Sequence, residues 1–312
     1  MRTRRIITAQ ALRWESMMGT NQLLLHTFFY SFLFFSLSVP KLLYGDDTDP
    51  SFQSSSLERI ELSDNAIFTA DFEHHDSGIY TKEQLKLDWD NPLWSDGIEE
   101  RRVSIEEIEP SLRALAVTFP AHTHGSEKNG AGWRLKFQTS YRAAEVRYDV
   151  MFQKGFHFVR GGKLPGLFGG TGNTGGDKPT GNDGFSARMM WREGGRAVQY
   201  LYYPDQPGRY GHQIPWTNQE NGQQIRFNPG QWHTVVHQIF MNTPGKHDGI
   251  LRGFFDGQLV LEINNLRFRD TDDFAIDGFL LSTFFGGGDT SWQSTAEETV
   301  YFDNFQIREI SH

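Results

Sequence analysis

Four residues in the middle of the chain have types and spacing suited to chemistry. Ser186 and Arg188 lie two apart, Tyr200 and Tyr202 lie two apart, and twelve positions separate Arg188 from Tyr200. Side chains on a strand alternate with period two, so each pair shares one face if both segments are strands. Between them Glu193-Gly194-Gly195 reads as a three-residue hairpin loop, with glycine free to take the positive φ such turns need. That loop length sets Arg188 opposite Tyr200 and Ser186 opposite Tyr202. A cation, a hydroxyl and two phenols then project from one open face, and a hydrophobic core would want none of them. Such a set can hold an anion and move a proton.

The surroundings share this character. The chain has 312 residues and a formal charge of −9, which argues against a nucleic-acid binder. The stretch from Met151 to His212 departs from that balance, with eight Lys/Arg against four Asp/Glu and 15 of the 32 glycines. A basic, glycine-rich, tyrosine-bearing surface on an acidic protein points to a polyanionic ligand, against the plainer reading of a solvated charged face. Lys163 sits there in Lys-Leu-Pro-Gly, read as a turn. His157, Arg160, Arg192 and His212 flank the set as candidate substrate-binding residues. The run from Gly169 to Gly184 lacks the Gly-Lys-Ser/Thr of a phosphate loop and reads as a mobile loop beside a cleft. His74-His75 and His122-x-His124 are close histidine pairs without an obvious third ligand, so no metal site is assigned.

The elements that must position these residues read as strands. Aromatic content of 14% with 26 Phe suits an all-β sandwich. Strand patterns cover Ile67–Phe72, Ala114–Phe119, Trp133–Thr139, Glu145–Phe152, Phe185–Trp191 and Ala197–Tyr203. They continue through Trp232–Phe240, Leu251–Phe255, Leu259–Ile263, Gly278–Phe285 and Thr299–Ile307. Thr81–Leu87 reads as a short helix with Thr81 and Gln84 in capping-box positions. The acidic stretch Arg101–Glu109 reads as a loop or short turn. The expected fold is a two-sheet antiparallel β-jelly roll, a concanavalin-like sandwich with short helices.

At the N-terminus Arg2, Arg4 and Arg5 precede the apolar run Leu23–Val39, the pattern of a secretory signal peptide or a single N-terminal anchor over residues 1–45. Residues 46–56 read as a disordered lead-in and residues 57–312 as one catalytic-size domain. A secreted or periplasmic, monomeric protein, free of the membrane once the signal is removed, is expected. Cysteine is absent, which excludes disulfides.

Three segments resemble polysaccharide lyase family 14: Tyr148–Gly170 (YDVMFQKGFHFVRGGKLPGLFGG), Phe185–Pro204 (FSARMMWREGGRAVQYLYYP) and Leu280–Ile307 (LLSTFFGGGDTSWQSTAEETVYFDNFQI). The resemblance spans roughly Leu115 to Ile310. It implies a jelly roll that cleaves uronic-acid polysaccharides, chiefly alginate and in some members glucuronan. By that resemblance the catalytic set is Lys163, Ser186, Arg188, Tyr200 and Tyr202. The residue types suit β-elimination. Arg188 neutralises the uronate carboxylate, so that C5 can lose its proton. A phenol or Lys163 then transfers protons, the phenols as base or acid if nearby cations lower their pKa. No cofactor is required, although such jelly rolls sometimes carry a structural Ca²⁺ between terminal strands, for which Glu73 and Asp303 are candidates. A glycoside hydrolase would need paired carboxylates, and no such strand motif is present. A glucuronan lyase and a non-catalytic carbohydrate-binding module remain the alternatives.

Overall fold

The computed structural model describes residues 65–311, so the expectations for residues 1–45 and 46–56 lie outside the described residues. In chain order the strands are β1 Ala66–Ala70, β2 Gly78–Ile79, β3 Ser95–Asp96, β4 Val103–Glu109, β5 Leu112–Phe119, β6 Ala131–Tyr141, β7 Ala143–Phe152 and β8 Gly161–Gly170. There follow β9 Gly184–Arg192, β10 Arg196–Tyr202, β11 His212–Pro215, β12 Trp232–Phe240, β13 Gly249–Phe255, β14 Gln258–Leu266, β15 Ile276–Phe285 and β16 Glu298–Glu309. One helix, α1 Lys82–Asp88, starts at a capping box in which Gln84 N donates to Thr81 Oγ1 and Thr81 N donates to Gln84 Oε1.

The strands form two antiparallel sheets, the jelly roll expected from the sequence. One runs β14-β13-β12-β7-β16-β5-β4-β2, with β1 also paired to β16, and the other β11-β10-β9-β8-β15-β6-β3. Period-two alternation divides each strand of the second sheet between core and cleft. On β9, Phe185, Ala187, Met189 and Trp191 enter the main core, while Ser186, Arg188, Met190 and Arg192 point the other way. The core is aromatic, with Trp89, Trp133, Trp191 and Trp216 fully buried. Trp191 packs among Phe119, Phe152, Phe156 and Phe285 at centroid distances of 5.3 to 5.9 Å. Truncating such a ring to alanine typically costs about 3–5 kcal/mol.

Two local expectations are corrected. Arg101–Glu109 was expected as a loop or short turn, but all of it from Val103 onward is β4, where Val103 and Ile105 enter the core and Glu107 and Glu109 are exposed. Lys-Leu-Pro-Gly is not a turn; it lies within β8. The register with β9 shifts between Leu164 and Gly166, so Pro165 occupies a bulge, where a missing N–H costs no ladder bond. Glycine is required beside it for close approach: a Cβ on Gly162 would lie 2.0 Å from the Trp191 ring.

Candidate active site

The hairpin forms in the expected register. Arg188 pairs with Tyr200 and Ser186 with Tyr202 across β9 and β10, and Gly194 and Gly195 take φ of 65° and 76° in the turn. On the neighbouring strand Lys163 pairs with Met190. These strands floor a cleft of about 600 Å³ lined by Lys163, Arg188, Met190, Arg192, Tyr200 and Tyr202, among others. The cleft also receives Arg134 from β6, Ser282 from β15, and Trp94, Tyr210 and Trp292 from loops, all of which sequence reasoning missed. Arg134 alternates with the buried Trp133 and Leu135 on β6, and the strand order β9-β8-β15-β6 puts it on the cleft side of the same sheet as the hairpin.

The face is roofed, not open. Ser186, Arg188, Tyr200 and Tyr202 are all buried, with at most 5% of their surface exposed. The loop between β8 and β9 covers Tyr202, and Gly176 N donates to its hydroxyl at 3.0 Å. That loop was expected to be mobile, yet it is fastened. Asn173 Nδ2 donates to Asp177 and Asp183, and Asp183 accepts from Thr180 N. Ser186 Oγ donates to Asn173 O at 2.6 Å. The hydroxyl proton is thus committed to the loop backbone, which ties the roof to β9 and leaves the Ser186 oxygen its acceptor lone pairs.

Lys163 Nζ lies 3.7 Å from the centroid of the Tyr200 ring and donates to Met190 Sδ at 2.9 Å. Burial, then the charges of Arg188 and Arg192, push its pKa well below the ordinary lysine value. Part of the side chain faces the cleft, and water there moderates the effect without reversing it. The electron-rich ring face compensates an ammonium only in part, by about 2 kcal/mol or somewhat more when it is desolvated. Burial brings Arg188 down to about 10, still cationic at neutral pH. Tyr200 moves the opposite way from the sequence expectation: burial and its contact with Tyr202 raise it, and Arg188 only partly offsets them. The phenol is therefore held protonated, which suits a proton donor. The two hydroxyls lie 3.4 Å apart.

Among the described residues, no carboxylate lies within ion-pairing distance of Arg134, Lys163, Arg188 or Arg192. A second depression, of about 410 Å³ on the other sheet, is lined by arginines that are already paired, Arg252 with Glu262 and Arg308 with Glu145. Of these two, the first presents unpaired positive charge, with Asp96 as the carboxylate in its lining, and so a demand for an anion.

His157 and His212 do not reach the cleft lining. The His157 ring, largely exposed, bonds the buried carboxylate of Glu298 at 2.9 Å, and His212 Nδ1 pairs with Tyr203 Oη at 3.1 Å. Arg192 lines the cleft, and Arg160 rests on Trp292. For metals, the structure adds Asp88 to His74 and His75, but the capping box disfavours an ion there. Gln84 Oε1 is held by Thr81 N, so Gln84 Nε2 donates to His75 Nδ1, and the ring hydrogen of His75 sits on Nε2, facing Asp88 at 2.7 Å. A metal would need that nitrogen bare.

The sequence model of the family Polysaccharide lyase 14 matches residues 108–305. The chain belongs to the polysaccharide lyase 14 family. The structure of the alginate lyase Aly36B is 28% identical to this lyase, with a TM-score of 0.67 over 78% of this chain and 98% of that one. A double mutant of Aly36B has been solved in complex with an alginate tetrasaccharide. The marine PL-14 alginate lyase from Aplysia kurodai is 26% identical, with a TM-score of 0.66 over 78% and 99%. The alginate lyase vAL-1 from Chlorella virus, 23% identical with a TM-score of 0.60 over 75% and 99%, shares the fold. No curated protein sequence matches the chain.

Proposed function

We propose that this polysaccharide lyase cleaves alginate, with mannuronate-rich chains as its first substrate, by β-elimination. The observation that carries the reading is a lysine of depressed pKa beside an unpaired buried arginine in one cleft. Arg188 binds the uronate carboxylate through paired hydrogen bonds and stabilises the charge that develops as C5 loses its proton. Lys163, as the free amine, takes that proton on Nζ. The C5–H electron pair forms the C4=C5 double bond, the C4–O bond breaks, and the departing oxygen takes the hydroxyl proton of Tyr200. Proton exchange with water restores both groups. One chain becomes two, the new non-reducing end is unsaturated, and no water is added across the broken bond.

The chain supplies the cation and both proton-transfer groups, so the proposed reaction needs no cofactor. A structural Ca²⁺ beside Glu73 and Asp303 has some support in donor type: Asp303 Oδ1 is buried without a hydrogen-bond partner, and burial and Glu73 push its pKa up to about 8. We further propose export, on the strength of Arg2, Arg4 and Arg5 preceding Leu23–Val39.

The test is incubation with alginate, polymannuronate, polyguluronate and glucuronan while ultraviolet absorbance of the unsaturated product is followed. Absorbance with the alginate family supports the proposal, and absorbance with glucuronan alone reassigns the substrate. Saturated new ends would refute elimination, and binding without cleavage would leave only a carbohydrate-binding module.

A further inference from the structure

One wall of the cleft carries a second arrangement that the proposed chemistry does not use. Trp292 ends the short 3₁₀ turn Thr290–Trp292, which Asp289 caps by accepting from Ser291 N at 2.9 Å. Its indole lies directly on the backbone of Gly287: a Cβ there would meet the ring at 2.1 Å, and φ is +95°, so glycine is required. Two guanidiniums rest on this one indole, Arg160 at 5.1 Å and Arg192 at 5.2 Å from the ring. Arg160 is further fixed by donating to Ser291 Oγ at 2.6 Å. Arg192 has no such anchor. Its Nη1 is buried and has no hydrogen-bond partner.

Holding two like charges together and leaving a buried donor unmet are both unfavourable. Burial, then Arg196 and Arg160, lower the Arg192 pKa accordingly. An anion entering the cleft would relieve both costs. Arg192 lines the same cleft as Arg188 and lies four residues along the same face of β9. Four residues of strand span about 13 Å, further than one sugar ring reaches.

We propose that Arg192, braced with Arg160 on Trp292, forms a second carboxylate-binding subsite, which takes a uronate other than the one being cleaved. The inference rests on the polyuronate reading above. A guanidinium fork matches a carboxylate through two hydrogen bonds, and a chain bearing a carboxylate on every sugar can engage Arg188 and Arg192 together. A neutral polysaccharide or a single uronate cannot. The subsite recognises charge at a distance and adds the same affinity before and during reaction, so this contribution falls on KM; the Arg192 charge also helps to depress the Lys163 pKa, an effect independent of oligomer length.

The experiment compares wild type, Arg192→Gln and Arg192→Lys on oligomannuronates of increasing length, from the trisaccharide to the hexasaccharide. For Arg192→Gln, KM should rise about tenfold or more on the longer oligomers, the loss of one hydrogen bond to a charged group. Its KM on the trisaccharide should change far less than on the longer oligomers, whereas kcat should shift by the same factor at every length, because losing the Arg192 charge also raises the Lys163 pKa. Arg192→Lys should recover part of the loss, since it keeps the charge but not the fork. A KM unchanged at every length, a rise equal at every length, or a fall in kcat alone would overturn the subsite. If the wild type releases no unsaturated product from any polyuronate, the catalytic reading fails separately. Calorimetric titration with the same oligomers then decides: a length-dependent affinity lost in Arg192→Gln supports the subsite, and equal affinities overturn it.

Discussion

Lys163→Met separates the chemistry of the cleft from its packing. Methionine keeps the unbranched stem and removes the amine. The neighbours of Nζ are Met190 Sδ and the Tyr200 ring, surroundings that accept a thioether. A volume-conserving swap costs less than about 1.5 kcal/mol. Against that stands the proton. Folding depresses the lysine pKa, so between the folded value and the unfolded value of 10.5 the unfolded chain binds more protons. Wild-type stability therefore rises with pH across that window, and below it the folded protein holds an unfavourable buried charge. The variant carries neither penalty, so its melting temperature at neutral pH should equal or exceed that of wild type, and its stability should rise less steeply with pH. Activity should move the other way. Loss of a general base costs about 10²–10⁴ in rate, or about 3–5 kcal/mol of transition-state stabilisation. Wild-type kcat/KM should also rise with pH through the depressed lysine pKa and fall as Arg188, at about 10, loses its proton. The assays are product absorbance against pH and thermal melts in the same buffers. A variant within tenfold of wild-type activity, or one that melts markedly lower, would refute the assignment.

Tyr200→Phe should lose about 10²–10⁴ in kcat with the fold intact; kcat within tenfold of wild type would remove Tyr200 as the donor. Tyr202→Phe leaves Gly176 N without its acceptor, at a cost of about 1–3 kcal/mol, so a lower melting temperature and faster proteolysis of the 171–183 loop are expected in limited digestion. Asp303 holds a proton in the folded state up to about pH 8, whereas the unfolded chain loses it near 3.8, so stability falls as pH rises between those values. Asp303→Asn should flatten that slope in melts from pH 4 to pH 9, and if Ca²⁺ can take the proton's place, adding it should raise the wild-type melting temperature above pH 7 and leave the variant unmoved. KM for polymeric alginate should rise with ionic strength, because screening shortens to about 3 Å near 1 M salt; a flat KM would mean that the basic cleft does not attract the chain.

The hairpin was legible in the sequence because its information is local: a period of two, a three-residue turn and two glycines set the Arg188–Tyr200 pairing. The same locality explains what was not. Arg134, Ser282 and Trp292 reach the cleft through strand order and loop path, which no window of residues encodes. The Lys-Leu-Pro-Gly reading failed because proline and glycine mark a turn and a bulged strand alike, and only the partner strand distinguishes them. The burial of Tyr202 and Ser186 was hidden for a related reason. The roofing loop meets the hairpin through backbone groups of Asn173 and Gly176, which leave no mark at those positions of the sequence.

Strand β9 serves two masters, one per residue. Trp191 is locked into the aromatic core while its neighbours Met190 and Arg192 touch the cleft, and Gly162 permits that crossing at contact distance. Core and catalyst are thus two sides of a single sheet, with no hinge between them. A repacking around Trp191 that tilted the strand would displace Arg188 with it. The rims differ: Trp94 and Tyr210 stand on loops outside the strands, where a change of length leaves the pairing of the floor strands as it is.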